Sequence, residues 1–323
     1  MRILVIGKRN SVGAWYEYTC NAFRQGGHEV DSFAINGDRF LDHVKYKFTK
    51  KNPETYNKFM LAVFQKKIQN KHYDLCVSLS SYWMPYFLFE LLREKNPSCV
   101  LAGWVGDKFD KESADHANLF DVIYYTDSQF LSDHERLGFK KNQKYLPHAV
   151  EHRIFTEKTR QKVPQLLFVA NRTDYRQKTI ESIPREIKII GRGWRNCRKS
   201  SHHRIDPNRV HFSKLNRIYD KYFCVLNIKN ETHVFNGLNQ RSFEPYGCGT
   251  PVLHDDVTDL KKCFDPGEEI FVYSDTEQLN EILERIVADP GIAARVGQAG
   301  KKRVCAEHTY RHRIETMLHD LGA

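Results

Sequence analysis

Apolar residues in this chain come in short runs, each followed by a stretch in which apolar and polar positions recur at helical spacing. Residues 2–7 form the first run, a strand closed by a polar turn that ends at Gly13. Residues 15–25 read as a helix stopped by Gly26-Gly27, and 28–33 as the next strand. Residues 52–70 place Phe59, Val63 and Phe64 on one helical face and lysines opposite. Strands recur at 75–79, 99–105 and 122–126, with a helix over 85–95. The second half repeats the plan. Its strands are 166–170, 187–190, 224–228, 251–254 and 269–273, and its helices lie near 213–221, 240–246, 276–288, 292–307 and 310–321. Such alternation predicts an α/β fold in which parallel sheets carry helices on both faces. A length of 323 residues fits two domains of this kind.

Composition narrows the class. Hydrophobic residues make up 41% and charged residues 28%, as in ordinary globular proteins, and no apolar run approaches the ~20 residues a bilayer requires. The N-terminus opens on a strand rather than a secretory leader, so a cytoplasmic protein is expected. The eight cysteines show no C-x-x-C pair, and several sit in apolar runs, which predicts reduced, buried thiols. His202-His203 lacks partners at ligand spacing, so an exposed basic loop is expected there and no metal site. The net charge is +10. Residues 41–71 carry eight lysines against two acids, and 191–210 carry six Lys/Arg against one. Such surfaces suit anionic lipid, nucleic acid or anionic sugar nucleotides, or simply a solvated face.

The densest candidate chemistry lies between Asn236 and Val252. Glu244 stands just before the small-residue turn Gly247-Cys248-Gly249-Thr250-Pro251, which leads into an apolar strand. A glycine-rich turn lets backbone N–H groups approach an anionic ligand, and a carboxylate beside it accepts two hydrogen bonds from a vicinal diol such as a ribose. Diphosphate and ribose together mean a nucleotide.

This stretch resembles the donor-site motif of retaining GT-B glycosyltransferases, in which a pair of glutamates precedes a Cys-Gly-Thr-Pro-Val segment. Glu244 falls on the second glutamate, the one that binds the ribose hydroxyls, and Asn236 on the first, which touches the donor sugar. That asparagine, with Arg241-Ser-Phe-Glu244 and the ending His308-Thr-Tyr-Arg-His-Arg313, is more similar to the spore-maturation, CgeB-like branch. The resemblance is strong over residues 165–320. It implies two Rossmann-like domains facing a cleft, 1–152 for the acceptor and 153–307 for the nucleotide-sugar donor. A terminal helix, 308–323, would cross back to the first domain. It also implies that Arg172 and Lys178, with Arg176 as the alternative, hold the donor diphosphate, and that the base is read near 210–212.

Other positions are read from their place in the pattern. Trp194, in Gly191-Arg-Gly-Trp, is expected to pack under its loop rather than stack on a base. His148 and His308 read as structural. The acceptor side should draw on Ser11 and Gly13 in the first turn, Ser81 and Tyr82 after the 75–79 strand, and Asp107 after 99–105. Asp107 is the candidate general base if the reaction inverts, with a helix cap or turn as its other reading. The resulting expectation is a metal-independent glycosyltransferase needing no cofactor beyond a UDP- or GDP-linked sugar. It would act in surface-glycan synthesis on a glycan or lipid-linked acceptor, resting on the inner face of the plasma membrane, with retention favoured. The alternatives are a DNA-modifying glycosyltransferase, a sugar-nucleotide epimerase on the same fold, or a silent nucleotide-binding module.

Overall fold

The computed structural model describes residues 1–9, 14–37, 51–139, 142–159, 161–197 and 201–322. Ser11 and Gly13 lie outside them. The chain forms two compact units, Met1–Leu146 with Ile314–Ala323, and Pro147–Arg313.

Unit 1 carries β1 (Arg2–Gly7), β2 (Glu29–Ala34), β3 (Leu75–Leu79), β4 (Val100–Val105), β5 (Val122–Tyr125) and β6 (Asn142–Tyr145). Their order is β2-β1-β3-β4-β5-β6, and every pair is parallel. The wholly buried run Leu75-Cys-Val-Ser-Leu79 makes β3 a central strand, covered on both faces. The helices are α1 (Trp15–Gln25), α2 (Pro53–Ile68), α3 (Phe87–Lys95) and α4 (Ser128–Arg136). Asn52 caps α2, its Oδ1 accepting from the Thr55 N–H at 3.1 Å, with Pro53 in the first turn. The fully buried stripe of α2 is Met60, Phe64 and Ile68; Phe59 and Val63 are only partly covered.

Unit 2 carries β7 (Val163–Val169), β8 (Lys188–Ile190), β9 (Arg204–Asp206), β10 (Tyr222–Asn227), β11 (Val252–Asp255) and β12 (Phe271–Tyr273). Their order is β12-β11-β10-β7-β8-β9, again all parallel. Around this sheet lie α5 (Asp174–Glu181), α6 (Leu215–Lys221), α7 (Glu244–Gly247), α8 (Thr276–Ala288) and α9 (Pro290–Glu307). The helix expected over 240–246 is broken. A 3₁₀ turn over Gln240–Ser242 precedes α7, where Pro245 has no N–H to continue the ladder. The last helix, α10 (Tyr310–Asp320), starts in unit 2 and ends in unit 1. Asp320 there accepts from Lys144 at 2.5 Å and from the Tyr124 hydroxyl at 3.2 Å.

The pattern missed α4, α5, β6 and β9. These two edge strands are short and mostly polar, Asn-Gln-Lys-Tyr and Arg-Ile-Asp, too short for a strand pattern to stand out. All eight cysteines are free thiols, and six of them are buried.

Candidate active site

Because every strand of unit 2 runs the same way, the loops after β7, β10 and β11 gather at one sheet edge, where parallel sheets present ligand-binding groups. A polar network fixes that edge. Asn227, the last residue of β10, donates from Nδ2 to Ser242 Oγ at 3.0 Å and to Asn239 Oδ1 at 3.3 Å. Asn239 Nδ2 donates back to Asn227 Oδ1 at 3.2 Å. Ser242 Oγ also bonds His254 Nε2 at 2.9 Å, and the other nitrogen of that ring bonds the Asp255 carbonyl at 2.7 Å. Both oxygens of Asp255 accept the Lys229 N–H at 3.1 Å.

Glu244 opens α7 and is 2% exposed. The Tyr219 hydroxyl approaches Oε2 at 3.5 Å, and Oε1 has no hydrogen-bond partner among the described residues. Burial pushes this carboxyl up to about 8, and the Arg241 charge and the Tyr219 contact pull it back only in part. An orphan carboxyl oxygen in a packed interior is costly, and a ligand bearing hydroxyl donors removes that cost. Arg241, in the preceding 3₁₀ turn, acts on it by charge rather than by a hydrogen bond.

The three cations after β7 differ sharply. Arg176 is buried and bonded to backbone: Nε and Nη2 donate to the Ile228 carbonyl at 3.2 and 2.9 Å, and Nη1 donates to the Asn171 carbonyl at 3.1 Å. Burial and the nearby Arg241 charge pull it down to about 9. It ties α5 to the residue that follows β10 and is turned towards backbone carbonyls. Arg172 is exposed, bonded to Asp174 at 2.7 Å and to Gln177. Lys178 is exposed in the last turn of α5, roughly 6 Å along the helix from its start, with no hydrogen bond to the described residues.

The turn after α7 departs from the expected cradle. The N–H groups of Cys248 and Thr250 donate to the Pro245 carbonyl at 3.0 and 3.1 Å, and that of Gly249 to the Tyr246 carbonyl at 2.8 Å. None is left for an anion. Thr250 is fully buried between the Tyr219 carbonyl at 2.9 Å and the Lys162 ammonium at 2.7 Å. Gly247 is glycine because a Cβ there would lie 2.5 Å from Phe155, and Gly249 because its φ is +62°. The turn feeds the N-terminal end of β11, the edge opposite the polar network.

Asn236 accepts the Asp259 N–H on its carbonyl at 3.1 Å and the Thr258 hydroxyl on Oδ1 at 3.2 Å. In unit 1, Asp107 sits half-buried in a bend just past β4. Ser81 and Tyr82 are core residues rather than acceptor groups. Ser81 Oγ donates to the Ser78 carbonyl at 2.8 Å and accepts the Trp104 N–H at 2.9 Å. The Tyr82 hydroxyl pairs with that of Tyr125, which meets His134 Nδ1 at 2.8 Å. Trp194 packs as expected, 1% exposed, with its indole N–H on the Ala170 carbonyl at 2.9 Å. His308 is structural, held by the Cys263 carbonyl at 2.9 Å and Arg313 at 2.8 Å. His203 is buried on the Ile180 carbonyl at 3.0 Å, not in an exposed loop. Among the described residues no cluster of three or more His, Cys, Asp or Glu could hold a metal ion.

The profile of the glycosyl transferase-like family matches residues 172–319, which include this whole sheet edge beyond β7. This stretch belongs to the glycosyl transferase-like family. No curated protein matches the chain in sequence. Among solved structures it is similar to sucrose-phosphate synthase from Thermosynechococcus elongatus, at 15% identity over 98% of this chain and 97% of that one, with a TM-score of 0.70. A glycosyltransferase from Rickettsia africae shares 13% identity over 98% and 97%, with a TM-score of 0.69. HepE from Anabaena, solved in complex with UDP-glucose, shares 11% over 100% and 99%, with a TM-score of 0.67. These likenesses establish the GT-B fold.

The sequence singled out Glu244 and passed over Asn227, Asn239 and His254, whose hydrogen bonds build the polar network at this edge. The available signal was weak. A run such as Phe223-Cys-Val-Leu-Asn227 ends in a polar residue at the functional edge of a buried parallel strand.

Proposed function

We propose that the chain transfers a sugar from a nucleoside diphosphate sugar, UDP-linked, to a hydroxyl acceptor, with Glu244 holding the ribose hydroxyls. The observation that carries this is the orphan oxygen of the buried Glu244 carboxyl at the ligand-bearing edge of the donor-side sheet. An ionised carboxylate has acceptor sites for both hydroxyls of a ribose. The UDP base is supported by HepE, solved with UDP-glucose. Arg172 and Lys178 supply positive charge to the diphosphate as it leaves. Asn236 contacts the donor sugar through its amide. The stereochemical course is retention, in which the leaving phosphate assists the incoming hydroxyl; Asp107 takes the proton if the course is inversion. The acceptor is a glycan or lipid-linked hydroxyl in surface-glycan synthesis.

Thermal unfolding with UDP, GDP, TDP and CMP tests the donor side. UDP at 100 times its dissociation constant adds about 2.7 kcal/mol of stability, and Glu244→Ala removes most of that gain at the same concentration. No gain with any nucleotide, or the same gain in the variant, overturns the reading.

A further inference from the structure

Arg241 lies at this edge with the terminal nitrogens of its guanidinium unspent on any described residue. Its backbone N–H donates to Asn239 Oδ1 at 2.9 Å and its Nε to Asn227 Oδ1 at 3.3 Å. Through those two asparagines it is tied to Ser242, His254 and the end of β10. The guanidinium is therefore held in place. Yet neither terminal nitrogen donates to any described residue, and the side chain is only partly covered. Arg176, its neighbour in charge, behaves otherwise: each of its three nitrogens donates to a backbone carbonyl. Arg172 is committed to Asp174 and Gln177.

Three residues along the chain, Glu244 holds an unsatisfied carboxyl oxygen. The two groups feel each other's charge but make no hydrogen bond. A cation and a carboxyl so close, each with spare capacity and unjoined, fit a ligand that meets both. A nucleoside diphosphate carries hydroxyl donors on its ribose and phosphate acceptors a few bonds away. A planar guanidinium binds such oxygens in pairs, which an ammonium does not.

We propose that Arg241 is a ligand of the donor diphosphate, a binding residue in its own right beside the ribose-holding Glu244. This rests on the nucleotide-sugar reading above. Glu244 takes the sugar ring of the nucleoside, Arg241 takes the phosphate attached to it, and the asparagine pair keeps the two at fixed separation.

The test is calorimetric titration of wild type, Arg241→Gln and Arg241→Lys with uridine, UMP and UDP, with unfolding curves for each protein. The expected result is that Arg241→Gln binds uridine within about twofold of wild type and loses roughly ten- to a hundredfold in UDP affinity. Arg241→Lys, which keeps the charge and loses the fork, falls between. Equal losses for uridine and UDP in both variants would make Arg241 a support for Glu244 and overturn the proposal. A wild-type protein that binds UDP no better than uridine, or binds neither, would instead overturn the donor reading beneath it.

Discussion

A carboxyl raised from 4.5 to about 8 by burial keeps its proton across the neutral range, and at Glu244 this has two measurable consequences. Between those values the folded chain holds a proton that the unfolded chain has released, so stability is full below 4.5 and falls as pH rises towards 8. Glu244→Gln removes that slope. Denaturant unfolding at several pH values should therefore show wild type losing more stability than the variant across the window; parallel curves would mean the carboxyl is ionised when empty. Ligand binding runs the other way. Two ribose hydroxyls favour the ionised form, so uridine affinity should climb with pH up to about 8 in wild type and stay flat in Glu244→Gln. His308 has the opposite sign. Burial and the neighbouring Arg313 push it from 6.5 down to about 3, so its contribution is present above 6.5 and lost as pH falls towards 3.

Among the elements, direction decided which readings held. The apolar runs gave the central strands because β3 and β10 are buried along their whole length, whereas β6 and β9 lie at sheet edges with little apolar burial to mark them. The glycine turn was misread for a subtler reason. Composition marks Gly247 and Gly249 as close-approach positions, which they are, but the close neighbours are Phe155, Gln298 and Glu157. Only the path of α7, from the ligand edge to the start of β11, separates Glu244 from the turn that follows it. Nor could the sequence disclose the free fork of Arg241, since its fixed posture depends on Asn227, fourteen positions earlier (|i−j| = 14). Two substitutions check these packing roles. Gly247→Ala places a methyl group against the Phe155 backbone and should cost about 1–3 kcal/mol, without altering the preference for UDP over uridine. Ser81→Ala leaves the buried Trp104 N–H without its acceptor and should cost about 1–3 kcal/mol in unit 1, with acceptor choice unchanged. A selective loss of UDP binding in the first, or a change of acceptor in the second, would return these residues to the site.

At the scale of the whole molecule, the +10 charge is only partly free to act. On α2, Lys66 is exposed, Lys58 pairs with Glu54 at 2.6 Å, and beyond the helix Lys71 pairs with Asp31 at 2.9 Å. Lys45, Lys47 and Lys50 lie outside the described residues. No described helix is long and apolar enough to cross a membrane. An anionic membrane surface remains the proposed resting place, each nearby lysine adding about 1 kcal/mol within a Debye length. Co-sedimentation with anionic but not neutral vesicles, reversed by salt and lost in Lys58→Glu/Lys66→Glu/Lys67→Glu, is expected; tight duplex-DNA binding in its place would favour a nucleic-acid acceptor. All of this is secondary to whether the molecule grips a nucleotide through Glu244. The direct measurement is a double-mutant cycle by calorimetry, with UDP and 2′,3′-dideoxy-UDP titrated into wild type and Glu244→Ala. The account predicts that wild type loses on the order of 1.5–3 kcal/mol when the ribose hydroxyls are removed and that the variant loses almost nothing. The same loss in both proteins would place the ribose elsewhere and contradict the account.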